Sequence, residues 1–160
     1  MYPRFSNSAA GFTLIELVLV MVILAILVAS IMPRFADLGT QARISAIKAL
    51  AGSIQTTINN LRLECAVNPS CSLSNDQLHV YLNGQWYWLN YGWVDAGDDI
   101  GGDEIDTALT ISGFSVTLPN NRATLFSLAD APAPANCSVL YYQATIATPK
   151  PVITLTTSGC

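Results

Sequence analysis

Glu16 stands where a charge is costly. From Phe12 to Met32 only Thr13, Glu16 and Ser30 interrupt twenty-one positions of aliphatic or aromatic side chain. On insertion scales a carboxylate at the centre of a bilayer costs roughly 2.5–3.5 kcal/mol, and less near an end, so an acidic residue here calls for a partner or a task. Two other groups have chemistry to offer. Asp95, Asp98, Asp99, Asp103, Glu104 and Asp106 put six carboxylates into twelve residues with no base among them. Four of these, Asp95, Asp98, Asp99 and Asp103, form a candidate oxygen-ligand set for Ca2+. Their spacing is not that of an EF-hand, because Ile100 occupies the position that needs glycine. A solvated acidic loop is the plainer expectation, with contact to a neighbour's basic residues as a third. Trp86 and Trp88 share one face of a strand and could stack on a glycan, although a face packed against a helix is the expected arrangement.

Catalysis finds little to work with. His79 is the single histidine, and the four cysteines include no Cys-x-x-Cys pair. Zinc is therefore not expected, and a Ser-His-Asp site has no sequence context. A mobile acidic loop offers no apolar pocket to raise one carboxyl pKa above another, so the chain is expected not to be an enzyme and to carry no cofactor apart from the Ca2+ option.

The elements that must position these residues follow from composition and period. The 160 residues fit one folded head. Charged residues make up only 11% and hydrophobic ones 51%, which excludes disorder. A net charge of −4 removes the electrostatic footprint of a nucleic-acid binder. The apolar run from Phe12 to Met32 spans roughly 31 Å as a helix, the thickness of a bilayer's hydrocarbon core. It is too long for the apolar region of an ordinary cleaved signal peptide. Arg4, ahead of it, favours a cytoplasmic N-terminus.

Beyond Pro33 a helical stripe continues through Phe35, Leu38, Ala42, Ile47, Leu50, Ile54, Ile58 and Leu61 at steps of three to five residues. The two parts predict one helix of roughly fifty residues, apolar all round at first and amphipathic afterwards. Its second half should pack on a small sheet while its first half inserts among other copies. Residues 79–82, Asn83-Gly84 and residues 85–89 form a strong hairpin signal, since Asn-Gly supplies the positive dihedrals of a type I′ turn. A second hairpin is expected from 114–118 through Pro119-Asn120-Asn121 to 123–128, with further strands at 139–146 and 152–157. A short helix is expected over 104–111 and a Pro-Ala loop over 131–135. Helix followed by sheet gives an α+β class. In an oxidising compartment the four cysteines allow three pairings, of which sequence proximity favours Cys65–Cys71 and Cys137–Cys160.

The string Gly11-Phe12-Thr13-Leu14-Ile15-Glu16-Leu17 resembles the processing site of type IV prepilins and pseudopilins. Pro33 falls where that family usually carries a helix-kinking proline. The resemblance implies a pilin fold in three parts: a leader at 1–11, a transmembrane and polymerisation helix at 12–33, and a globular head at 34–160. It implies that a membrane aspartyl peptidase cuts after Gly11 and methylates the new N-terminal Phe12. Glu16 of one subunit would then pair with the Phe12 amine of its neighbour, with Pro33 also serving assembly. It implies further partners: other copies and other pilins, a cytoplasmic assembly ATPase, a platform protein and the inner membrane. The precursor would sit in that membrane before display as an extracellular pilus. Residues 33–61, the Tyr91-Gly92 turn, Ser112-Gly113-Phe114 and the ending Thr156-Thr157-Ser158-Gly159-Cys160 look like mannose-sensitive haemagglutinin pilins. That likeness implies a filament for adhesion and biofilm attachment. A minor pilin, a pseudopilin of a type II secretion system and a membrane-anchored glycan-binding module are the alternatives.

Overall fold

The computed structural model describes residues 11–97 and 102–160, the side chains of residues 32–37 excepted. The chain divides into two compact units, Met1–Gly39 and Thr40–Cys160. One helix, α1 (Leu14–Val67, 54 residues), runs through the boundary and matches the expected long helix. Among the described residues seven strands follow: β1 (Leu78–Leu82), β2 (Gln85–Asn90), β3 (Trp93–Val94), β4 (Phe114–Asn120), β5 (Ala123–Leu128), β6 (Ser138–Tyr142) and β7 (Val152–Thr156). They form two antiparallel sheets, β1-β2-β3 and β4-β5-β6-β7, where a single small sheet was expected. The α+β class stands.

In the second unit the helical stripe becomes a core. Ile47, Leu50, Ile54, Ile58, Leu61 and Cys65 recur at three- and four-residue steps on one face of α1, and all are buried. They share that core with Val80, Leu82, Tyr87 and Leu89 of the first sheet and with Phe126, Val139 and Tyr141 of the second. The stripe's earlier members behave differently. Leu38 and Ala42 are exposed, because burial of the stripe begins only around Ile44 and Ile47. The side chain of Phe35 lies outside the described residues.

The turns explain the register. Asn83 (φ 55°) and Gly84 (φ 86°) join β1 to β2 in the expected type I′ conformation, pairing Leu82 with Gln85. Tyr91 (φ 52°) and Gly92 (φ 74°) repeat the device between β2 and β3. A Cβ on Gly92 would meet the tip of the Leu73 side chain at 2.5 Å, which that side chain would have to vacate, so the positive dihedral is the firmer reason for glycine. The second expected hairpin exists, but its turn is displaced. Pro119 and Asn120 lie within β4, and Asn121-Arg122 make the turn, with a register shift between Thr117 and Asn120. Pro119 is tolerated in a strand because β4 is an edge of its sheet.

The segment 104–111 is not a helix. It forms bends and turns in which Glu104 O accepts from Ala108 N and from Thr107 Oγ1. One such turn is all that develops, since a segment this short cannot offset the cost of helix nucleation. Buried Ile105 fixes it to the core instead. The Pro-Ala loop contains one 3-10 turn, Pro134–Asn136.

Both expected disulfides are present, Cys65–Cys71 across the end of α1 and Cys137–Cys160 across 23 residues. The second holds the chain end beside β6, where Ala133 N donates to Gly159 O and Gly159 N to Asn136 O. Arg43 of α1 donates to the main-chain oxygen of Cys160 at 3.0 Å. The two sheets are joined by side chains. The buried Tyr141 hydroxyl of β6 donates to Val94 O, and Thr124 Oγ1 of β5 donates to Ala96 O. Burial pushes the Tyr141 phenol far above its usual range, and the nearby charge of Asp95 adds to the shift.

Candidate functional site

At Gly11 nothing among the described residues requires a glycine. Its φ is not positive, and a Cβ built there would meet no atom within 4 Å. Phe12 follows with its ring 79% exposed. Thr13 then caps α1, its Oγ1 accepting from Glu16 N at 3.3 Å. The spacing Thr-x-x-Glu is the capping-box signal of a helix start. Glu16 thus occupies the first turn of α1, where the positive end of the helix dipole favours a carboxylate.

From Leu14 to Ile31 the helix has a mean hydropathy of 3.1 and none of it is buried by the rest of the chain. Leu14, Ile15, Leu24, Ile26 and Val28 are all at least half exposed. Ser30 is the exception in polarity and is satisfied locally, its hydroxyl donating to Ile26 O at 2.9 Å. Such a surface needs an apolar partner outside the chain: lipid, other helices, or each in turn. Pro33 lies inside α1, and its side chain is outside the described residues.

On the head, the tryptophan face is reversed from expectation. Tyr87 and Leu89 point into the core, whereas Trp86 (48% exposed) and Trp88 (37% exposed) face outward with His79 and Tyr81. The His79 ring lies between the two indoles, 4.8 Å from Trp86 and 4.4 Å from Trp88, and Tyr81 meets Trp86 edge-on at 5.4 Å. The alternation put Trp86 and Trp88 on one face correctly, but the core chose the other.

The described carboxylates of this run do not form one cluster of ligands. Asp103 Oδ2 lies 2.8 Å from His79 Nε2, and Asp103 Oδ1 accepts weakly from Gln85. Asp95 Oδ1 accepts from Gly97 N. Glu104, expected in a solvated loop, is buried with its carboxyl against Gly97 and Gly102. Asp98 and Asp99 lie outside the described residues. Among the described residues no group of three or more His, Cys, Asp or Glu is placed to hold a metal ion.

Residues 6–32 match the prokaryotic N-terminal methylation motif. A 63-residue stretch is 41% identical to the type IV narrow pilus major component PilA5 of Thermus thermophilus, covering 39% of this chain and 54% of that protein. The N-terminal part of the chain is therefore similar to that of a type IV pilin. The matched stretch thus spans about half the length of this curated relative. No solved structure matches the chain significantly. The exposed glycine, the bare aromatic ring after it and the carboxylate in the first helical turn lie within the matched stretch, and no other described residue buries them.

Proposed function

We propose that this chain is the structural subunit of a type IV pilus. The precursor is held in the inner membrane by residues 12–33, with the leader 1–11 on the cytoplasmic side. A prepilin peptidase cuts after Gly11, and the lack of any steric reason for glycine there among the described residues supports a requirement set by an outside enzyme. The new α-amine of Phe12 is methylated and keeps its positive charge. Polymerisation then carries the apolar helix from lipid into a bundle of its own kind, driven by the assembly ATPase and platform protein.

The observation that carries this reading is the bare stretch Leu14–Ile31, with its carboxylate at one end and a self-sufficient head beyond. Within a bundle of such helices the Phe12 ammonium and Glu16 are the two charges near the helix start. Each is costly alone and tolerable when paired with the other across subunits, which makes the pair a register device. Adhesion and biofilm attachment are the roles proposed for the displayed filament, whose heads present the outward aromatic row of β1 and β2.

Glu16→Ala tests this in the native organism. Processing to a Phe12 start should continue while sheared filament falls to background. Filament yield equal to that of the unsubstituted chain would refute the pairing.

A further inference from the structure

A cavity of about 490 Å³ opens on the head beside β2, within the size range of small-ligand sites. Trp88, Asn90, Asp76, Asp95, Arg122 and Gln143 are among the residues that line it. His79 stacks on one face of the Trp88 ring at an interplanar angle of 19°, which leaves the rest of the indole to the cavity. Two amide side chains belong to the lining residues, and their oxygens are already committed. Asn90 Oδ1 accepts from Gln77 N at 2.9 Å, and Gln143 Oε1 accepts from Ala96 N at 3.3 Å. Asn90 is 1% exposed, and its Nδ2 has no hydrogen-bond partner among the described residues. A buried donor left in this way is costly unless something supplies an acceptor.

We propose that this cavity binds a neutral sugar, with a pyranose ring stacked on Trp88 and its hydroxyls bridging the amide and guanidinium donors to the carboxylates. The lining selects that chemistry. Asp76 and Asp95 repel an anion, while an ammonium, which has no lone pair, leaves the Asn90 donor unmet. A hydroxyl donates and accepts at once, so it satisfies both sides of the wall. An aromatic face beside planar polar side chains also suits the apolar face and equatorial hydroxyls of a pyranose. The site belongs to the head alone and stands whether or not the chain polymerises.

The test is saturation-transfer NMR and titration of the full-length protein in a sugar-free zwitterionic detergent, with cellobiose, lactose and N,N′-diacetylchitobiose as probes. At least one disaccharide should saturate. Trp88→Ala and Arg122→Ala should each weaken it by tenfold or more with the melting temperature unchanged, while Trp88→Phe retains most of the affinity. Trp86→Ala, which alters the outer row but not the cavity, should stay within twofold. The proposal is overturned if none of the three sugars saturates, if Trp86→Ala weakens binding as much as Trp88→Ala, or if butylammonium competes the sugar away.

Discussion

The two halves of α1 are made of similar aliphatic residues and meet opposite fates. In Leu14–Ile31 apolar side chains surround the helix and none of the segment is buried, whereas from Ile47 to Cys65 the apolar stripe on one face is buried. The difference lies in arrangement, not in hydrophobicity. A stripe can be covered by two small sheets folded from the same chain, but a helix apolar on every side cannot, so its stabilising contacts must come from lipid or from other molecules. The head is therefore a unit whose stability is internal, and the first segment one whose function is external.

Paired substitutions test that contrast most sharply. Ile54→Ala removes a fully buried side chain and should cost the head roughly 2–5 kcal/mol, while Leu24→Ala in the bare segment should leave the head's melting transition where it was. Thermal melts of the full chain in detergent, followed by near-ultraviolet circular dichroism, read both. Equal losses would erase the distinction between the halves.

Replacing Cys137 and Cys160 together by serine should destabilise the head by about 2–4 kcal/mol, because the bridge closes a loop of 23 residues in sequence separation and pins the chain end beside β6. The insertion of the apolar helix into membranes should not change, as read by flotation with vesicles. The alkaline limb gives a smaller and graded effect. Tyr141 is held protonated in the fold, so the native state binds a proton that the unfolded chain releases above about pH 10. Its contribution is fully present below that pH and is lost above it, at about 1.4 kcal/mol per pH unit. Tyr141→Phe should flatten this dependence in denaturant melts taken between pH 9 and 11.5.

Local signals in the sequence proved readable, and non-local ones did not. The long helix, the Asn83-Gly84 turn and the Cys65–Cys71 bridge rest on period, dihedral preference and proximity, all of which act within a few residues, and Cys137–Cys160 follows as the remaining pair. Period two showed that Trp86 and Trp88 share a face, but Tyr87 and Leu89 on the other face are also apolar, and only the packing of α1 decides which pair goes inside. Strand β3 is two residues long and has no run to detect, and it is held by contacts distant in sequence. Arg62 shows how: its guanidinium sits 4.1 Å from the Trp93 ring centroid and donates to Tyr91 O at 2.8 Å. The acidic run was read as a single object, yet its described members point to separate partners, with Asp103 at His79 and Glu104 buried against two glycines. At the candidate assembly segment the opposite holds. Gly11, Phe12 and Glu16 stand out by sequence pattern alone, and among the described residues no tertiary contact engages them.

Intact mass and N-terminal analysis of filaments sheared from cells of the native organism test the central claim most directly. The account predicts a chain of residues 12–160 beginning with a methylated Phe12, both disulfides closed. Surface material that still begins at Met1, or a Phe12-started chain found solely in the membrane fraction with no sheared filament, would contradict it.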